Sequence, residues 1–269
     1  MKIIFSRKGI DDAYGKGSSP IMPDASLLSI PIPAKKGEHG VSYSSLYYNS
    51  VRYSTILSQL GIRVGARLCH LDPDLRYDLL PRSSAWLPCF GQHVAAASHL
   101  KNQGIASGDL FLFFGTFRET FFDHKKLSFK NDSPKRHIIF GYLKINDVLD
   151  LSNYDDRQTA MSVGYNNHPH MRNDYSKHNI LYTAASAGTF KYDDSLVLSQ
   201  IGSSKSNWNL PKYFSEVSIS RHQNRDRYQV QKDRVILKTV SIGQDFVVSE
   251  SKEVQEWAIH LITSNEEMK

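Results

Sequence analysis

The chain has 269 residues, of which 40 % are hydrophobic and 22 % are charged, an ordinary composition for a soluble globular protein. No apolar run approaches the roughly 18 residues that a membrane-spanning helix needs. Residues 1–8 are too short and too soon charged for a secretory signal. These features exclude a helical membrane protein, and we expect a cytoplasmic protein without a membrane partner.

The net charge of +6 and the isoelectric point of about 9.1 favour an anionic partner, either a free nucleotide or nucleic acid. Cys69 and Cys89 are the two cysteines, too few for a disulfide framework. A zinc site built from both cysteines, His70 and His93 is conceivable. Because their spacing matches no standard zinc finger, we assign no metal ligand from the sequence.

The first element is a β-strand over residues 1–6, and Arg7 and Lys8 follow at its end, where an open sheet places a ligand. These two cations either bind phosphate or form an ordinary surface pair. The next segment, residues 10–33, is rich in Gly, Ser and Pro and indicates a loop that ends in a short edge strand over residues 28–33. Apolar residues at helical spacing then predict a helix within residues 47–60.

The most informative segment places His70 beside Asp72 and Asp74, which flank Pro73. Proline disfavours the α region for the residue before it, so this segment is extended or turned and holds its side chains in fixed directions. Such a loop can transfer protons or bind a polar ligand. The alternative is that the carboxylates only cap the next turn or helix.

A helix is predicted from Gly91 to Leu100, with Gln92 at its beginning, where the amide could contact a base edge or cap the helix. Two apolar runs, residues 110–115 and 137–145, then predict paired antiparallel strands that are buried on both faces. Arg118 lies just beyond the first run. A cation at that place is either ligand-facing or ion-paired.

His168 and His170 flank Pro169 in a polar segment that we interpret as an extended, exposed loop. Their roles could be metal binding, hydrogen bonding or acid–base chemistry, or the loop could simply be solvated. Strands are predicted over residues 179–184, 235–240 and 246–248, and a helix over 254–262. Trp208 could stack on a base or fill the core.

These elements predict the α+β class, with a mixed, largely antiparallel β core, in an open or barrel-like form, flanked by short helices. No internal repeat is visible. The sequence lacks the Gly-x-Ser-x-Gly elbow, the phosphate-binding loop and the dinucleotide fingerprint. Their absence argues against the common hydrolases, kinases and dehydrogenases.

Motifs along nearly the whole chain together resemble the family called nucleotide modification associated domain 3. The motifs are Phe5-Ser6-Arg7-Lys8-Gly9, Ser19 to Asp24, Ser29 to Pro33, His70 to Leu75, Phe90-Gly91-Gln92, Gly108 to Gly115 with Phe117-Arg118, and His168-Pro169-His170. The resemblance implies one domain over residues 1–269 and an association with nucleotide or DNA-base modification in bacteria and phages. It implies no particular reaction or cofactor.

Two functions of different classes follow from these observations. In the first, the protein is an enzyme acting on a nucleotide or nucleic-acid base, where cations hold phosphate and His70 and Asp72 exchange a proton with the base or sugar. In the second, it is a non-catalytic module that recognises a nucleotide or base, in modified or unmodified form. The candidate catalytic residues are His70, Asp72, Asp74, His168 and His170; the candidate ligand-binding residues are Arg7, Lys8, Asp24, Gln92 and Arg118.

Overall fold

The computed structural model describes residues 1–172, 175, 178–241 and 243–266. The helices in these residues are α1 (Tyr53–Gln59), α2 (Val94–Asn102), α3 (Tyr154–Ser162), α4 (Pro169–Arg172) and α5 (Lys252–Asn265). The strands are β1 (Ile3–Arg7), β2 (Ser19–Ile21), β3 (Ile32–Pro33), β4 (Val41–Ser42), β5 (Tyr47–Tyr48), β6 (Val51–Arg52), β7 (Leu68–His70), β8 (Cys89–His93), β9 (Leu110–Asp123), β10 (Lys126–Phe129), β11 (Arg136–Asp150), β12 (Asn179–Thr189), β13 (Asn207–Pro211), β14 (Tyr228–Val230), β15 (Arg234–Lys238) and β16 (Asp245–Val248).

The principal sheet has the strand order β16-β1-β9-β11-β12-β8, and β2 and β10 pair with the distal half of β9. Strands β1 and β2 run parallel to β9, whereas the other pairs are antiparallel. The sheet curls into a half-barrel, and register shifts in β11 mark bulges of the kind that bend strands. The predicted α+β class, with a mixed, largely antiparallel core and short helices, is confirmed.

The two apolar runs form the centre of this sheet as predicted. In β9 the residues from Leu110 to Phe117 are all buried, and β9 pairs antiparallel with β11 through Leu112 opposite Tyr142. Strand β9 continues through polar residues to Asp123 because β2 and β10 supply backbone partners there.

Aromatic side chains fill the core that covers one end of the sheet. The Phe5 ring lies 5.3 Å from Trp208, 6.1 Å from Phe214 and 6.0 Å from Trp257 between ring centroids. Trp208 is 1 % exposed and its indole N–H donates to His137 Nδ1 at 3.0 Å. The structure therefore places Trp208 in the core.

A second hydrophobic cluster surrounds α1 and the small sheet β3-β7-β4, and includes Ile30, Tyr53 and Leu57. Strand β7 ends at His70, and the chain then returns to the principal sheet. Reciprocal backbone hydrogen bonds of 2.9 Å between Asp74 and Cys89 anchor this return. Asp72 consequently lies between the two hydrophobic clusters, in a cis peptide bond with Pro73.

The local predictions agree with the structure to different degrees. The helix predicted within residues 47–60 is confirmed as α1, which follows the β5–β6 hairpin, and the edge strand predicted over 28–33 is limited to β3. The helix predicted to begin at Gly91 is wrong at its start. Gln92 lies in strand β8, because β12 offers that segment an antiparallel partner, and α2 begins only at Val94.

The segment from His168 to His170 is also different from its prediction. It is a turn leading into α4, and both histidines are buried. Tertiary contacts cover this polar segment, so its composition does not report its exposure. No helix among the described residues is both long enough and apolar enough to span a membrane.

Candidate functional site

A cavity of about 440 Å³ opens between the end of β1, the end of β7 and β8. We call it the central cavity. Its volume lies within the roughly 300–1,000 Å³ of typical small-molecule sites. Several of the predicted site residues line it together: Arg7, Lys8, His70, Asp72, Gln92 and His170.

Asp72 is a buried acid at the floor of this cavity, with a side chain that is 4 % exposed. Its Oδ1 accepts a hydrogen bond of 2.7 Å from the Gly91 backbone N–H. Its Oδ2 lies 3.8 Å from His70 Nε2 and 3.7 Å from His170 Nε2. One carboxylate oxygen is thus fixed by the backbone, and the other faces two imidazoles.

His170 is oriented by Asn179, the first residue of β12. Asn179 Nδ2 donates to the His170 carbonyl at 2.8 Å, and Asn179 Oδ1 lies 2.6 Å from His170 Nδ1. Because the carbonyl contact identifies the amide nitrogen, Oδ1 is the atom that faces the ring, and Nδ1–H donates to it. The lone pair of Nε2 then faces Asp72.

His168 lies on the opposite side of the carboxylate. Its Nε2 is 3.5 Å from Asp72 Oδ1, too long for a good hydrogen bond. The ring lines a neighbouring cavity of about 360 Å³ together with Asp74 and Arg82. His168 therefore contacts Asp72 from outside the central cavity.

The electrostatics shift the pKa values of two members of the cluster, Asp72 and His170. Burial opposes ionisation of Asp72, but the facing imidazoles of His168, His70 and His170 outweigh it and hold its pKa well below the usual range. Burial lowers the pKa of His170 well below the usual value for histidine. An ionised carboxylate beside a neutral imidazole offers lone pairs to a hydrogen-bond donor of a ligand or to a metal ion.

Lys8 brings a buried cation to the same cavity. Its Nζ lies 4.3 Å from the Phe90 ring centroid and 3.4 Å from Gln244 Oε1. Burial lowers the pKa of Lys8, partly offset by the carboxylates of Asp245 and Asp72. A partly desolvated ammonium of this kind interacts strongly with an anion that enters the cavity.

Gln92 and Arg7 line the central cavity together with Lys8. Gln92 Nε2 donates to Asp245 Oδ2 at 2.8 Å, and Ser6 Oγ donates to the other oxygen of Asp245 at 2.6 Å. The Arg7 guanidinium donates to the carbonyls of Ser241 and Gly243, each at 2.9 Å. Both side chains are therefore held in place at the cavity wall.

A sequence model of the family described as nucleotide modification associated domain 3 matches residues 2–249. The chain belongs to this family. The match confirms the resemblance seen in its motifs, and the name of the family associates the chain with nucleotide modification. No curated protein and no solved structure matches the chain significantly.

In this member of nucleotide modification associated domain 3, four of the predicted site residues lie outside the central cavity: His168, Arg118, Asp24 and Asp74. The Arg118 guanidinium donates to the carbonyls of Ser133 and Lys130 and lies 4.7 Å from the Phe129 ring centroid. Among the described residues, those that line the central cavity do not include Arg118.

The two remaining acids also have other partners. Asp24 Oδ2 accepts a hydrogen bond of 2.5 Å from the Tyr48 hydroxyl, in a separate groove. Asp74 Oδ1 accepts one of 2.6 Å from Arg82, and burial raises the pKa of Asp74 to about 6. Asp74 contributes to the neighbouring cavity with His168.

Sequence reasoning missed the residues that organise this site. Asn179 orients His170, Asp245 anchors Gln92, and Tyr175 stacks on the His93 ring with 4.1 Å between ring centroids. Gly91 offered one signal, since a glycine inside a strand often marks a close approach of another group. The Cβ of any other residue at Gly91 would lie 2.3 Å from the His170 ring.

Proposed function

We propose that the protein is an enzyme that modifies a nucleotide or a nucleic-acid base in the central cavity. The observation that carries this proposal is that two cations and a buried imidazole–carboxylate cluster face one cavity: Arg7 and Lys8 with His70, Asp72 and His170. The family membership supports the nucleotide as the ligand class.

The anionic part of the ligand binds at Arg7 and Lys8 in this proposal. Arg7 is fixed by two backbone carbonyls, so its charge is preorganised, and Lys8 is nearly buried. Guanidinium and ammonium groups are the side chains that bind phosphate in proteins. DNA would present a base to such a cavity only after the base leaves the helical stack.

The wall formed by His93 and Tyr175 supports binding of the base. The two rings are stacked at an interplanar angle of 16° and both line the cavity. An aromatic surface binds bases of any sequence, since each base has a π-face. Gln92 also lines the cavity and can contribute polar contacts.

The buried cluster favours an enzyme over a binding module. Burial of a carboxylate among imidazoles costs free energy that simple recognition of a phosphate or base does not require. The side chain of His70 is 12 % exposed and that of His170 is 1 % exposed. His70 is thus the imidazole that a ligand in the cavity reaches most easily.

The test is to incubate the protein with pools of nucleotides and of single- and double-stranded DNA and to follow products by mass spectrometry. We expect turnover by the natural protein, loss of turnover in His70→Ala and Asp72→Asn, and no loss in His124→Ala, whose side chain is fully exposed on a distant turn. Recovery of an unchanged nucleotide bound to the natural protein would instead support the binding module.

We further propose that residues 1–269 act as one domain in the cytoplasm. The two ends of the described chain share one core, because β1 and α5 pack together and Gln255 Nε2 donates to the Met1 carbonyl at 2.8 Å. Cys69 and Cys89 are buried free thiols, the form typical of a reducing compartment.

A further inference from the structure

We propose that His70 Nε2, Asp72 Oδ2 and His170 Nε2 bind one divalent transition-metal ion at the floor of the central cavity. These ligand atoms all lie within 4.8 Å of one another. This inference goes beyond the proposed function and does not depend on which substrate the cavity receives.

The distances within the cluster suit a shared ion better than hydrogen bonds. The two imidazole nitrogens lie 3.8 and 3.7 Å from Asp72 Oδ2, beyond the range of a hydrogen bond. Two ligand atoms that each bind a metal at about 2.1 Å lie roughly 3.0–3.4 Å apart in octahedral or tetrahedral geometry. Small side-chain movements would therefore complete the coordination.

The surroundings orient two of the three ligands in the way metal sites require. Metal-binding histidines usually donate their second ring N–H to a carbonyl or carboxylate oxygen, and His170 Nδ1 has Asn179 Oδ1 at 2.6 Å. The Gly91 N–H holds Asp72 Oδ1 at 2.7 Å, which leaves Oδ2 as a monodentate ligand. These contacts preorganise two of the three ligands.

The ligand set indicates the class of metal. Two imidazoles and one carboxylate suit Fe²⁺, Zn²⁺, Mn²⁺, Co²⁺ or Ni²⁺, whereas Mg²⁺ and Ca²⁺ prefer oxygen ligands. Three protein ligands leave coordination positions open, and His70 and Asp72 both line the cavity. A metal ion there would act as a Lewis acid on an oxygen of the bound ligand.

Metal content provides a test that is independent of turnover. The intact protein is stripped with a chelator, loaded with Zn²⁺ or Co²⁺, passed through gel filtration and measured by elemental mass spectrometry. We expect about one ion per natural chain, the stoichiometry of a single three-ligand site. His124→Ala is the control, since it removes an imidazole that is fully exposed on the turn between β9 and β10, and it should retain the ion.

We use two variants of the proposed ligands, so that metal binding is still tested if one variant fails to fold. His70→Ala removes the most exposed ligand, and Asp72→Asn keeps an acceptor for the Gly91 N–H while removing the charge. Both should lose the ion while retaining the far-ultraviolet circular dichroism of the natural protein. Asn179→Ala should weaken metal affinity by about 10- to 100-fold, the usual effect of removing a partner that orients a ligand.

Failure of the natural protein to retain stoichiometric Zn²⁺ or Co²⁺ would overturn the metal site, as would retention of the full complement by folded His70→Ala. These outcomes are distinct from failure of the proposed function. A metal-loaded protein without nucleotide turnover would contradict the enzyme proposal only. Turnover by a natural protein that retains no Zn²⁺ or Co²⁺ after loading would contradict the metal proposal only.

Discussion

The backbone N–H of Gly91 donates a 2.7 Å hydrogen bond to Asp72, and the missing side chain of Gly91 provides the space for the His170 ring. A glycine in the middle of β8 thus fixes the carboxylate and admits the imidazole that faces it. Strand β8 therefore determines where the Asp72 carboxylate and the His170 ring lie in the central cavity.

Gly91→Ala should disrupt the candidate site directly. Its Cβ would lie 2.3 Å from His170 Cδ2, so the ring must move away from Asp72. We expect loss of activity and of metal binding, and a decrease in the free energy of unfolding of about 1–3 kcal/mol from overpacking. Activity, metal content and urea denaturation measure these effects.

Gly202→Ala is the control for destabilisation alone. Gly202 has a φ of +72°, and a Cβ added there would meet no other atom within 4 Å, so alanine should cost about 1 kcal/mol through backbone conformation. Activity at a temperature where both variants are folded should remain at the natural level in Gly202→Ala. Equal losses in the two variants would show that the space beside His170 is unimportant.

Arg7 and Arg118 form a matched pair for testing which guanidinium meets the ligand. Each donates to two backbone carbonyls, but Arg7 lines the central cavity. Arg7→Met should weaken binding of nucleoside monophosphates at least tenfold, about 1.4 kcal/mol. Arg118→Met should change affinity less than about twofold while lowering stability by about 1 kcal/mol through lost hydrogen bonds. Titration calorimetry would contradict this assignment if the two effects on affinity were reversed.

Lys8→Met removes the buried ammonium while keeping a side chain of similar length. Because the Lys8 Nζ is desolvated above Phe90, its attraction for an anion is poorly screened. We expect nucleoside monophosphate affinity to fall at least tenfold, about 1.4 kcal/mol. Lys101→Met, an exposed change on α2, should have no effect; a similar loss there would indicate a nonspecific effect of charge.

The buried ring of His137 makes the free energy of unfolding depend on pH. Burial lowers its pKa from 6.5 to about 3, so between these values the unfolded chain binds a proton that the folded protein does not. This group's contribution to stability is therefore complete above pH 6.5 and falls by about 1.4 kcal/mol per pH unit as the pH decreases toward 3.

His137→Asn should reduce the slope of the unfolding free energy against pH. Urea denaturation of the natural protein and the variant at several pH values measures the difference. Other buried histidines contribute equally to both, so the subtraction isolates His137. Asparagine also offers an oxygen near the position of Nδ1, which accepts from Trp208. Identical slopes in the two proteins would contradict a depressed pKa at His137.

The strands at the centre of the fold were predictable because the local sequence alone indicates their burial. The β9 and β11 runs are apolar on both faces, as expected for central strands. The sequence predicts a helix at Gln92 because apolar residues from Val94 to Leu100 follow a helical spacing. Its true strand conformation depends on pairing with Ile180 of β12, a contact between distant parts of the chain.

The candidate site was predictable only in its parts. His70 and Asp72 are neighbours in the sequence, and their fixed loop already indicated polar chemistry. The burial of His170 beside Asp72 could not be read from its polar surroundings, because Asn179 and Gly91 create that environment through the fold. The guanidinium of Arg118 donates to nearby carbonyls and does not enter the cavity. The positions of these carbonyls depend on the path of the chain between β10 and β11.

A crystal structure of the protein with a bound nucleoside monophosphate tests the proposed site most directly. We predict that the nucleotide lies in the central cavity, with its phosphate at Arg7 and Lys8 and its base or sugar beside His70 and Asp72. A nucleotide bound only in the neighbouring cavity of Asp74 and His168, or in the groove beside Asp24, would contradict it.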